Sequence, residues 1–179
     1  MPAPNNTQDT PVSKKTGRNM AIIAWVIGMI LLTRFLGVWE DKQHNPNQNL
    51  ATISDDVSKT SVALERNRYG HYVFNGQING HDATFMIDTG ATDVVIPQAL
   101  ADKIGLKHYG QSQASTANGI ITVFKTSLKR VSIGPITLYN VSASINPAMT
   151  SEDEVLMGMS ALKQLELRQK NTTLTLSQH

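Results

Sequence analysis

The stretch "FMIDTGATDVVIP", Phe85 to Pro97, sets a carboxylate at the end of an apolar run. Asp88 follows "ATFMI", Thr89 and Gly90 come next, and "ATDVVIP" then resumes a β-branched run. Gly90 permits a sharp turn, so the carboxylate is expected on a tight loop between two strands, with apolar walls. Withdrawing an ionised group from water is costly unless it is hydrogen-bonded or used. Two uses fit the residue types: a turn carboxylate that accepts backbone N–H groups, or a catalytic acid or base. Other chemistries have less support. The chain has no cysteine, which excludes a thiol nucleophile, thiolate metal sites and disulfides. His44, His71, His81, His108 and His179 lack metal-ligand spacing. Serines such as Ser115, Ser127 and Ser132 lack a nucleophile elbow. Met157 and Met159 read as packing residues, and the run Ser151 to Glu154 as a solvated turn.

The elements that must position Asp88 are mostly strands. From Ser61 onward, "SVALER", "HYVFNGQI", "DATFMI", "DVVI", "IITVFKTSLKRVSI", "ITLYNVSASI" and "TLTL" are rich in Val, Ile, Thr, Tyr and Phe and are punctuated by Gly, Asn and Pro. Asn79-Gly80 and Asn118-Gly119 each lie between such runs and predict two-residue hairpin turns. Two short helices are expected: "PQALADKIGL", with Pro97 at its first position and Gly105 as its C-terminal cap, and "SALKQLEL" from Ser160. The fold class expected for residues 61–179 is all-β with one or two short helices.

Residues 1–19 are rich in Pro, Asn and Thr and are expected to be disordered. Met20 to Trp39 is nearly all apolar, and as a helix it matches a hydrocarbon core of about 30 Å. It reads as an uncleaved transmembrane signal anchor, because "TRFLGVW" offers no small-residue cleavage site. A cleaved signal peptide is the competing reading, since the uninterrupted apolar part, Met20 to Leu32, has the length of a signal-peptide core. Lys14, Lys15 and Arg18 precede the span, while Lys42 beyond it is balanced by Glu40 and Asp41. The positive-inside rule then leaves the N-terminus in the cytoplasm and carries everything after Trp39 across the cell membrane. Residues 40–60 are polar and aperiodic and read as a flexible tether. With Lys+Arg 16 against Asp+Glu 14, the net charge of +2 argues against a nucleic-acid partner.

"FMIDTGATDVVI", then "ASTANGII", then "VLMGMSALKQL" occur in that order, and "YGHYVFNGQINGHDATFMIDTGAT" leads into the first of them. Over roughly Leu64 to Leu176 the chain resembles the retropepsin-like aspartic proteases, in particular the membrane-anchored, single-lobe bacterial members. The resemblance implies a single-lobe acid protease barrel that hydrolyses peptide bonds without metal or cofactor. Such a site needs two carboxylates near enough to share a proton, and this chain supplies one. The resemblance therefore implies a homodimer in which Asp88 meets Asp88 of a second chain. It further implies that Thr89 hydrogen-bonds across the dimer axis and that Gly90 lets the substrate backbone approach. Ala91, Thr92 and Asp93 would continue into the substrate-binding surface, although Thr92-Asp93 differs from the acidic pair of many viral relatives. Asn118-Gly119 would form the tip of a flap over the substrate, and Gly158 would lie beneath the catalytic loop. Val94 to Pro97 and Ile120 to Val123 suggest apolar subsites. The rival reading keeps the fold without the activity: a tethered module whose groove holds an extended peptide by strand addition.

Overall fold

The computed structural model describes residues 14–50, 52–53, 60–116 and 119–178. The chain divides into two compact units between Asp41 and Lys42. Helix α1, Lys14–His44, extends past both ends of the expected span. Glu40, Lys42 and Gln43 favour helix, and Pro46 stops it by disfavouring helical geometry at Asn45. Within α1, the segment Gly17–His44 contains an 18-residue window with a mean hydropathy of 2.2 and is long and apolar enough to cross a membrane.

The second unit is mostly β. Strands β1 (Thr52–Ile53), β2 (Thr60–Glu65), β10 (Glu166–Lys170) and β11 (Thr173–Gln178) form a four-stranded sheet in the order β1-β2-β11-β10. The other strands are β3 (Val73–Ile78), β4 (His81–Ile87), β5 (Val94–Pro97), β6 (Gly110–Thr116), β7 (Gly119–Ile133), β8 (Ile136–Asn146) and β9 (Glu154–Met157). They form a seven-stranded sheet ordered β3-β4-β9-β5-β8-β7-β6, and a further pairing of β3 with β7 closes it into a barrel. Inward-facing residues alternate along the strands, with Phe74 and Phe85 stacked at 5.5 Å between ring centroids in the core.

Between β3 and β4 the chain turns through Asn79 (φ 52) and Gly80 (φ 90), the left-handed pair that a two-residue hairpin with the native twist requires. At the second Asn-Gly the register is displaced by one residue. Thr116 pairs with Gly119, so the connection consists of residues 117–118, and Asn118 itself lies outside the described residues. Helix α2 is Gln98–Lys103, with Pro97 one position earlier than expected, as its N-cap. Gly105 follows at φ 66, and the Leu106 N–H reaches the Ala101 carbonyl. Helix α3 is only Met159–Leu162. Leu165 turns inward and Glu166-Leu167 enter β10, so the expected helix to Leu167 is cut short by pairing with β11.

The stretch expected to be a tether is partly built into this unit. Asn45 and Asn47 are buried. The Asn47 amide donates to the carbonyls of Glu65 (2.9 Å) and Val73 (2.7 Å), and its oxygen accepts from the Glu65 N–H (2.7 Å). Asn45 donates to the Asn75 side chain at 2.8 Å, and Asn67 donates to the His44 carbonyl at 2.9 Å. Polar composition here reflects amides that satisfy strand ends rather than solvated chain. Residues 51 and 54–59 of the expected tether lie outside the described residues.

Candidate functional site

Strand order dictates the path of the chain at Asp88. β4 and β5 are consecutive in sequence but not neighbours in the sheet, because β9 runs between them, parallel to β4 (Ile87 opposite Met157) and antiparallel to β5 (Val95 opposite Leu156). The segment from Asp88 to Asp93 must therefore cross the end of β9. There it meets Gly158. A Cβ on Gly158 would lie 2.1 Å from the Asp93 carbonyl oxygen and 2.6 Å from that of Ala91, so only a residue without a side chain lets the two segments cross.

Hydrogen bonds fasten the crossing. The Asp88 N–H donates to the Met157 carbonyl at 3.1 Å, Met159 N–H to the Ala91 carbonyl at 2.8 Å, and Ser160 N–H to the Thr92 carbonyl at 2.9 Å. The buried Ser160 hydroxyl accepts from the Val94 N–H (3.1 Å) and donates to the Ser142 carbonyl (2.6 Å), tying the loop exit to α3 and β8. Asp88 is half-buried, and its Oδ1 accepts from the Gly90 N–H at 2.9 Å. Its carboxylate is thus oriented by its own turn. Thr89 and Gly90 are exposed.

Above this loop opens a cleft of about 750 Å³. Asp88, Gly90, Ala91, Thr92 and Asp93 line it from the loop, and Val95 and Leu156 from the adjoining strands. The remaining wall comes from the β6–β7 hairpin, through Ser112 to Thr116, Ile121, Val123 and Lys125, and from Ser144 and Asn146 on β8. Thr89, Gly119 and Gly158 do not line the cleft. Among its lining residues the charged ones are Asp88, Asp93 and Lys125. The apolar runs contribute only alternate residues: Val94 and Ile96 point into the core while Val95 reaches the cleft. This leaves a more polar cleft than the composition of those runs suggests.

Glu154 departs from the expected solvated turn. It begins β9, half-buried, and its carboxylate lies 2.8 Å from the His44 ring. Neither Asp153 nor Glu154 lines the cleft. Sequence reasoning missed Ser160, read only as a helix start, and Lys125, Ser112, Ser144 and Asn146, whose β6–β8 register is a non-local property.

A β-barrel whose Asp-Thr-Gly loop crosses an apolar-apolar-Gly strand beneath a hairpin defines the class: a retropepsin-like aspartic protease fold. Residues 74–164 match the family described as "gag-polyprotein putative aspartyl protease", and the chain belongs to that family. The crystal structure of a retropepsin-like aspartic protease from Rickettsia conorii is similar, with a TM-score of 0.57 and 27% sequence identity over 73% of this chain and 96% of that one. A Sinorhizobium sp protein described as "Uncharacterized protein in cobV 5'region" is 33% identical over 123 residues, 67% of this chain. The chain spans about half, 52%, of that relative's length.

Proposed function

We propose that the chain is a membrane-anchored aspartic endopeptidase that acts as a homodimer. Asp88 and Asp88 of the partner subunit share one proton. The ionised carboxylate takes a proton from a water whose oxygen attacks the scissile carbonyl carbon, and the protonated carboxyl donates to the carbonyl oxygen. Collapse of the tetrahedral intermediate breaks the C–N bond as the carboxyl that took the water's proton passes it to the amine nitrogen and a hydroxyl of the intermediate returns its proton to the other carboxylate. Thr89 steadies the two loops across the axis, Ala91 to Asp93 hold the substrate backbone, and the β6–β7 hairpin, with its tip around Asn118-Gly119, closes over the peptide and excludes water. Gly158 acts by packing under the loop. No metal or cofactor takes part. The α1 helix anchors the enzyme in the cell membrane, with Lys14, Lys15 and Arg18 on the cytoplasmic side and the protease unit on the other.

The observation that carries this reading is the position of Asp88: a half-buried carboxylate on a loop fastened to β9 and α3, lining a cleft whose other wall includes the β6–β7 hairpin. The test is cleavage of a diverse peptide library by the full-length protein in detergent, beside Asp88→Asn, from mildly acidic to neutral pH. The expected outcome is endoproteolysis by the wild type and a loss of at least about a thousandfold in the variant. A folded, dimeric wild type that cleaves nothing would leave the peptide-binding module as the better reading.

A further inference from the structure

The wall opposite the Asp88 loop carries one cation. Along β7, Ile121, Val123 and Lys125 alternate onto the cleft face, and Lys125 stands about 13 Å further than Ile121 toward the base of the hairpin, at about 3.3 Å per residue. Its neighbours across the ladder are small: Gly110 on β6 and Ser144 on β8. Neither covers the side chain, which is exposed, and Lys125 makes no ion pair among the described residues. The cleft's carboxylates, Asp88 and Asp93, belong to the loop side.

Resting on the endopeptidase reading, we propose that Lys125 is a specificity-determining residue that selects substrates carrying an acidic side chain at an outer subsite. Near the loop a substrate carboxylate meets Asp88 and Asp93 and is repelled; beside Lys125 it meets a cation with open space where Gly110 and Ser144 leave it. A two-fold dimer presents Lys125 twice, once toward each end of the combined cleft. The preferred peptides are therefore acidic on both sides of the scissile bond, at matching distances from it.

The experiment measures kcat/KM of the full-length enzyme in detergent on peptide pairs that differ only by Glu against Gln at each position. Wild type, Lys125→Met and Lys125→Glu are compared at low and high salt. The expected wild-type result is a Glu:Gln ratio of about five at one outer position on each side, shrinking with salt. Lys125→Met brings that ratio to about one, and Lys125→Glu inverts it, so that the Gln peptide is cleaved faster than its Glu counterpart. A wild-type ratio near one at every position overturns the inference, as does a ratio that both substitutions leave unchanged. Equal loss on Glu and Gln peptides in Lys125→Met also overturns it, since that result assigns Lys125 a role inside the protein. If the wild type cleaves no peptide at all, the endopeptidase reading has failed, and that outcome is distinct from cleavage without charge preference.

Discussion

Gly158 and Ser160 hold the Asp88 loop by opposite means. Gly158 contributes absence: the Asp93 and Ala91 carbonyl oxygens occupy the space a side chain would take. Because both obstacles are backbone, neither can swing aside as a flexible side chain would. Gly158→Ala is therefore expected to cost about 3 kcal/mol or more, above the usual cost of an added methyl in a core, read as a lowered midpoint in denaturant unfolding. A loss under 1 kcal/mol would mean that the crossing yields more readily than its hydrogen bonds suggest. Ser160 contributes a hydroxyl that joins Val94 to Ser142. The Asp-Thr-Gly motif was legible in the sequence because the turn chemistry is local, carried by three adjacent residues. Ser160 was not, since a serine before a short apolar run looks like any helix start, and its two partners lie 66 and 18 residues away.

At the scale of elements, legibility followed apolar alternation. β2, β3, β4, β5, β7, β8 and β11 bury apolar residues and were visible as runs. β6, "GQSQAST", buries no residue, and β10, "ELRQK", is exposed throughout; both are strands because a neighbour pairs with them, which composition does not record. The segment Asn45 to Asn47 was misread for a related reason. Its polar side chains act as backbone surrogates at the ends of β2 and β3, where the Asn47 amide alone satisfies three main-chain groups. Asn47→Ala leaves those groups without protein partners and is expected to cost about 2 to 4 kcal/mol, allowing for partial rescue by water. Asn49→Ala, at an exposed position in the same stretch, is the matched control and should fall within about 0.5 kcal/mol. Equal effects of the two substitutions in thermal or denaturant unfolding would reduce the Asn47 network to a surface feature.

For the whole molecule, the division into an apolar helical unit and a β unit bears on how a one-carboxylate chain would be active. The β unit has its own closed barrel and buried core. If its active form is a dimer, activity depends on how often two copies meet. The proposed confinement by α1 to a membrane would raise the effective concentration of one chain around another without adding any contact in the β unit. Dimer affinity in that unit can then be weak. A fragment comprising residues 42–179, which keeps the Asn45–Asn47 anchor, is expected to lose specific activity on dilution: well below its dissociation constant the dimer concentration falls as the square of total protein, so halving the protein quarters the rate. Full-length protein at fixed surface density in vesicles should instead show a rate proportional to vesicle concentration, because dilution separates vesicles and not the chains within one. Initial rates over a hundredfold dilution of both preparations distinguish these laws. Proportional rates from the fragment across a range where sedimentation shows it monomeric would mean that one chain suffices for activity, and the shared-proton mechanism at Asp88 would fall with the dimer.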